Sequence, residues 1–448
     1  MITLNNINLS SIDLSGIDLR GIKLGLGGRG GGSSDGFPQL PGDVTRWHFG
    51  GLTNEMMAAM DDPRIEDADH KGRFLSFKNF AWKEGSGISD IYPGALVFDG
   101  VDDRGTCDNF PVLTKEKGYT VVALRQWDQD FLNTTLTGGL LSTRNYSTGE
   151  GVAFEKIESS NKGYWNLGAG GIIDFAKSPF TWQTSKQYNN VGILKGDKNH
   201  GKPLCVGCGL SGGQQCGRFA IWELVFLDHD ATEEELTKIK DYFVKTYPWL
   251  FPDQAWTVVG KTNEDEDRAT IANITGNGND LVCLNLGFIE GSGYNEEGEY
   301  AGYLVTDGVD DKITSSTFEM GNDWTVIGDW ELINTGKNNN AGIVKFDSIV
   351  IYNYNPILIN IKNGRNNLIP DQNTVNAICS DGRIYSKDWK ESIYNEETES
   401  TSKNLLTIGY SGNSYTKIAF KNLAIYPTVL SKEDCIKAYN YLQTLKAK

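Results

Sequence analysis

The sequence predicts a mainly β protein: two tandem antiparallel β-sandwiches, each ending in a capped helix, behind a short repetitive N-terminal segment. Three observations lead there. Residues 95–103 (Ala-Leu-Val-Phe-Asp-Gly-Val-Asp-Asp) return almost unchanged at 303–311 (Tyr-Leu-Val-Thr-Asp-Gly-Val-Asp-Asp), so one module is present twice. Around these landmarks the chain is rich in Gly, β-branched and aromatic residues, with turn signals about every 8–12 residues. Helical periodicity is confined to one stretch at the end of each copy.

The N-terminal element, residues 1–24, repeats with a period of five: Ile7-Asn-Leu9, Ile12-Asp-Leu14, Ile17-Asp-Leu19 and Ile22-Lys-Leu24. It resembles the pentapeptide-repeat right-handed β-helix, with Ile where that family carries a small residue. Four units make about one coil, too little to bury its own apolar face. The expectation is therefore an anchor and oligomerisation element, its Ile and Leu side chains buried against other chains. A homotrimer is expected, with a dimer or a socket on another protein as the alternatives. A disordered apolar tail is the bland reading, but such tails avoid exposing eight Ile and Leu residues. Residues 25–41 follow as a Gly-rich linker, stiffened at its end by Pro38 and Pro41.

The first module is assigned to residues 42–250 and the second to 254–448, separated by Tyr247-Pro-Trp-Leu-Phe-Pro252. Within them Gly51-Leu-Thr-Asn-Glu55 answers Gly260-Lys-Thr-Asn-Glu264, and Gly118-Tyr-Thr-Val-Val122 answers Asp323-Trp-Thr-Val-Ile327. In Asp-Gly-Val-Asp-Asp the glycines supply positive φ and the acids bond local backbone N–H groups, a turn between strands. Each copy then closes with a long strand-like run and a helix. Thr232 with Glu235, and Ser431 with Asp434, fit the capping-box pattern. Leu236, Ile239 and Phe243 fall on one face of the first helix, and Cys435, Tyr439 and Leu442 on one face of the second.

The Asp-Gly-Val-Asp-Asp strand, the strand after it and the late Trp222-Glu-Leu-Val-Phe-Leu-Asp228 element together resemble the concanavalin A-like, laminin-G-type jelly roll, over roughly residues 42–448. Lys78-Asn-Phe-Ala-Trp-Lys-Glu-Gly-Ser-Gly87 resembles modules of virion appendage proteins from phages of gut Bacteroidales, the crAss-like group among them. These resemblances imply a head-fibre or tail-appendage protein with lectin-like domains. The family also implies calcium as an option, but the Asp-Gly-Val-Asp-Asp acids read as turn formers, so no metal and no cofactor is expected.

A net charge of −16 disfavours nucleic acid and anionic membrane as partners, since such binding needs clustered Lys and Arg. It also serves plain solubility. The N-terminus lacks a basic and an apolar region, so no secretory signal is expected. That favours assembly in a host cytoplasm over export.

Seven cysteines do not suggest a disulfide framework. His200, Cys205, Cys208 and Cys216 invite a zinc hypothesis. Cys205 and Cys208 lie on a strand-like segment where residues three apart face opposite ways. Free thiols are the expectation.

Glycosidases of this fold class use paired carboxylates about 5 Å apart. Acids at matching spacing occur in residues 263–268 and 396–400, both in polar runs that read as solvated loops. No catalytic residue is assigned, and the protein is read as non-enzymatic. Glycan binding fits better: Trp82, Trp127 and Trp165 sit near predicted loops or strand ends, although core packing explains such aromatics equally. The reading is a virion protein whose sandwiches meet host surface or mucin glycans. A free bacterial carbohydrate-binding protein is the rival, and a glycoside hydrolase the third choice.

Overall fold

The computed structural model describes residues 36–111, 118–143, 153–156, 162–165, 171–174, 179–185, 203–210, 214–333, 342–346, 349–352, 357–361, 365–369, 375–393, 404–411 and 414–447. Residues 40–448 make one compact unit. The chain is mainly β, and every strand pairing within its long sheets is antiparallel apart from one short contact at Cys216.

Among the described residues two large sheets form in the first half of this unit and two in the second, which also has the small hairpin of Tyr410–Ser411 and Ser414–Tyr415. The first sheet runs in the order Phe180–Thr184, Thr120–Trp127, Arg218–Leu227, Leu96–Asp99 and Gly87–Ile88, with Val44–His48 also paired to Arg218–Leu227. Its counterpart runs Val375–Cys379, Thr325–Leu332, Ile418–Tyr426, Tyr303–Val305 and Gly293–Asn295, with Gln254–Thr257 paired to Ile418–Tyr426, and it is extended beyond Val375–Cys379 by Arg383–Ser386 and Glu391–Ile393. The strands carrying the two Asp-Gly-Val-Asp-Asp repeats therefore hold equivalent places. The opposing sheets match as well, from Arg64–Glu66 to Gly171–Asp174 in one half and from Thr270–Ile271 to Arg365–Ile369 in the other. Even an irregularity repeats: the register shifts at Trp222 and again at Lys421.

Alternation along the strands decides what fills each sandwich. Trp47, Phe98, Val121, Trp127, Leu224 and Phe226 from one sheet meet Leu75, Phe77, Leu141, Phe154 and Val206 from the other. In the second half Trp256, Leu304, Val326, Trp330 and Phe420 meet Ile271, Ile313, Leu406 and Ile408. Each core spans both of its sheets, which makes each half a sandwich.

The closing helices are Glu233–Thr246 and Lys432–Gln443. Thr232 forms the full reciprocal capping box with Glu235, and Ser431 accepts from the Asp434 N–H at 3.1 Å. Leu236, Ile239, Tyr242 and Phe243 are buried on the first helix. On the second, Cys435, Ala438, Tyr441 and Leu442 are buried, whereas Tyr439 is only half-buried and packs edge-on to Trp389 at 5.7 Å. The face predicted for this helix is thus rotated by about one residue, because Tyr441 is drawn toward the first sandwich.

The cysteine expectation needs correcting. Cys208 and Cys216 are joined in a disulfide across the hairpin that pairs Cys208–Leu210 with Gln214–Cys216. Cys205 does not face away from Cys208; the three sulfur residues share one buried cluster. The reason is Gly207, whose φ of +95° breaks the strand after Leu204–Val206 and folds the next residues back. Cys107, Cys205, Cys283, Cys379 and Cys435 are free and buried, as expected of free thiols. His200 lies outside the described residues.

No helix among the described residues is long and apolar enough to cross a membrane.

Candidate functional site

Three places bring functional groups together, and they differ in what is left to act. The repeated acidic turns come first. In Asp99–Asp103, Asp99 Oδ1 accepts from the N–H groups of Val101 (2.7 Å) and Asp102 (3.4 Å), while Asp103 accepts from the Asp99 N–H (3.0 Å) and the Ser86 hydroxyl (3.1 Å). Asp307, Asp311 and Ser292 repeat these bonds in the second copy. Gly100 and Gly308 sit at φ +79° and +77°. The acids are the turn formers the spacing predicts. Burial pushes the Asp103 carboxyl up to about 7, and Asp311 is raised for the same first reason.

A second cluster lies on the outer face of the first sheet, under its helix. Glu223 is fully buried and takes hydrogen bonds at Oε1 from the hydroxyls of Tyr247 (2.9 Å) and Tyr242 (3.3 Å). His48 Nδ1 stands 2.6 Å from the same oxygen, and Arg46 Nη1 is 3.5 Å from Oε2. Burial, reinforced by Glu223, holds the Tyr247 hydroxyl well above its ordinary range. Arg46 and Glu223 point away from the core because they alternate with Trp47 and Leu224 on their strands. The group ties Val44–His48, Arg218–Leu227 and the helix end together. Sequence reading missed it, since its members are scattered over some two hundred positions; Glu223 inside the otherwise apolar run from Phe219 to Leu227 was the available signal.

The third place is the junction between the halves. Tyr441 donates to Gln126 Oε1 at 3.0 Å and meets Trp222 edge-on at 6.2 Å, while Lys446 pairs with Asp130 at 2.5 Å. Trp222 is fully buried on the outer face of the first sheet and donates to the Pro93 carbonyl. Between the halves, Pro248–Leu250 packs as a 3-10 turn, with the Trp249 carbonyl accepting from Tyr426 and the Lys437 ammonium over the Trp249 ring. Short linkage and a buried seam leave the sandwiches fixed against each other.

Along this seam runs a groove of about 330 Å³, bordered by Gln126 and Lys240 of the first half and Phe251, Asp253, Asn277 and Tyr441 beyond it. A smaller hollow of about 100 Å³ shares Gln126 and Ile274 with it and continues toward Gln129 and Lys261. Its floor is pinned by Asn273, which holds Gln254, Gly278 and Thr275. The Asp253 backbone carbonyl accepts from Thr275 and Asn277, and this fixes the rim. The side chains of Lys240, Asp253 and Gln129 have no ion-pair or hydrogen-bond partner among the described residues. Phe251 is half-buried and offers a ring beside them. A concave site with an apolar ring and a few unspent polar groups is suited to a polar ligand with one apolar face.

The aromatics singled out from sequence fare differently. Trp127 is fully buried and stacked on Phe131, and Trp82 stacks on Phe80 at 4.9 Å beside the core. Trp165 lies on the strand Lys162–Trp165. Of the acidic runs, Asp265 caps Thr262 and Asp267 pairs with Lys261 at 2.9 Å; residues 396–400 lie outside the described residues. So do Ile7, Leu9, Ile12, Leu14, Ile17, Leu19, Ile22 and Leu24.

No protein-family model matches the sequence, and no curated protein matches it by sequence. Among solved structures, Trypanosoma rangeli sialidase is similar over 84% of this chain and 67% of its own, at 8% identity and a TM-score of 0.32. The botulinum neurotoxin serotype D binding domain is similar over 81% of this chain and 94% of its own, at 10% identity and a TM-score of 0.30. Likenesses this slight carry no argument about function.

Proposed function

We propose that this chain is a non-enzymatic structural protein of a bacteriophage particle, a head fibre or tail appendage, whose paired sandwiches bind host surface glycans. The observation that carries the binding half of this reading is the junction groove: both copies build it, a buried seam holds it in shape, and Phe251, Asp253 and Lys240 face it, with Gln129 in the hollow that adjoins it. A sugar ring presents a C–H face for an aromatic side chain and hydroxyls for a carboxylate, an ammonium and amides. The virion half rests on the resemblance of residues 78–87 and on the Ile-x-Leu repeat of residues 7–24 as an anchor, oligomerised as a trimer.

The test has two arms. Purified full-length protein should bind host capsular or mucin glycans, with Phe251→Ala plus Asp253→Ala reducing affinity at least tenfold while the melting curve is unchanged. Undiminished binding by that variant moves the site elsewhere. Replacing Ile12, Leu14, Ile17 and Leu19 with Ser should strip the protein from particles; full occupancy in the variant would refute the anchor.

A further inference from the structure

We propose that Cys379 and Cys435 are an oxidisable pair that closes to a second disulfide, stapling the final helix of the second sandwich to its sheet. Cys379 ends the strand Val375–Cys379, paired with Thr325, and Cys435 lies in the first turns of the helix Lys432–Gln443. Both are fully buried, and each thiol is the leading influence on the other's ionisation. Thr325 holds the two parts in register: its hydroxyl lies 3.7 Å from Cys379 Sγ, donates to the Thr428 carbonyl and accepts from the Leu430 N–H at 2.9 Å. Arg383 adds a bond to the Leu430 carbonyl at 3.1 Å.

The internal duplication gives an independent argument. Cys379 faces Thr325 as Thr184 faces Thr120 in the first copy. Cys435 follows its cap Ser431 as Leu236 follows Thr232. Two positions that are Thr and Leu in one copy are both Cys in the other, and both of those cysteines are buried. Cys435 also holds the Cys379 thiol below its usual range, so Cys379 is the thiolate that forms first.

The chemistry is thiol–disulfide exchange with a small disulfide such as oxidised glutathione. The Cys379 thiolate attacks one sulfur of the reagent, forming a mixed disulfide and expelling one glutathione thiolate. Cys435, losing its proton, then attacks Cys379 Sγ and expels the second. Two protein thiols give up two electrons and two protons, and one reagent disulfide becomes two thiols. Because both sulfurs are buried, exchange proceeds through opening of the helix or during folding. Closing a long loop stabilises the fold and fixes the helix whose Tyr441 seals the junction.

Full-length protein would be incubated with oxidised glutathione, and a second sample refolded from denaturant in the same redox buffer so that access is not limiting. Alkylation after denaturation should fall from five reactive thiols by two, with a cross-linked peptide containing Cys379 and Cys435. Relative to a sample whose pair stays reduced, the melting temperature should rise by about 5–10 °C. The double variant Cys379→Thr, Cys435→Leu, which installs the first copy's residues, should keep all its remaining thiols and show no oxidant-dependent rise. If both the folded and the refolded samples retain five reactive thiols, or if the linked peptide joins other cysteines, the assignment is wrong.

Discussion

The same hairpin closes differently in the two halves of this molecule. After Val206 and a positive-φ Gly207, the first copy pairs Cys208 with Cys216 through a disulfide. After Ile408 and a positive-φ Gly409, the second pairs Tyr410 with Tyr415, ring centroids 4.8 Å apart. The backbone requirement, a glycine able to turn left-handed, is kept. The clamp above it is exchangeable, because a covalent bond and an aromatic pair both hold two facing residues. The charged cluster shows the same contrast. Where the first copy places buried Arg46 and Glu223 with half-buried His48, the second has Ala255, Asn422 and Thr257 at matching register positions, all three buried. One topology tolerates an ionic and a neutral solution at the same register positions.

That contrast breaks most readily at Glu223. Glu223→Asn alone removes the carboxylate from beside buried Arg46 and should cost about 3–5 kcal/mol in denaturant unfolding. Adding Arg46→Ala and His48→Thr completes the second copy's arrangement and should recover a large part of the loss. Equal stability of the single and triple variants would show that the cluster is not an energetic unit.

Removing the disulfide with Cys208→Ser and Cys216→Ser should cost about 2–3 kcal/mol, set by the short loop it closes. Tyr415→Ala, opening the matching aromatic clamp, should cost about 0.5–1.5 kcal/mol. A larger loss at Tyr415 would invert the ranking of the two clamps.

Asp103 gives the comparison a pH axis. Its folded value, about 7, lies above its ordinary value of 3.8, so the fold favours the protonated acid. The stability this confers is complete below the ordinary value and is lost as pH rises through about 7. Melting temperature should therefore decline between pH 5 and 7.5, and Asp103→Asn should flatten part of that slope. An unchanged slope would remove Asp103 as its source.

The smallest effect belongs to the exposed Lys446–Asp130 pair at the junction. Lys446→Ala should change stability by less than about 1 kcal/mol, and raised salt should mask it. Tyr441→Phe, which deletes the buried hydroxyl bond to Gln126, should cost about 0.5–1.5 kcal/mol. If the lysine matters more than the tyrosine, the seam is electrostatic rather than packed.

Much of the fold was legible because its signals are local. The Asp-Gly-Val-Asp-Asp turns work through bonds spanning two to four residues, and the helix caps through bonds spanning three. The cysteines were misread because one glycine's φ, which the strand-like pattern around it conceals, turned Cys208 back over Cys205. The second helix was read one residue out because alternation and spacing report only an element's own sheet, and Tyr441 answers to the other sandwich.

The sequence by itself determined the duplication, the mainly β class, the order of landmarks and the capped helices, since each depends on residues near one another along the chain. Tertiary packing settled which cysteines pair, that Arg46, Glu223 and Tyr247 form one buried group with half-buried His48 at its edge, and that the two sandwiches border a groove. Those features join side chains separated by tens to hundreds of positions. They are fixed by how bulged strands and two helices pack on one sheet face, and no local pattern encodes that packing.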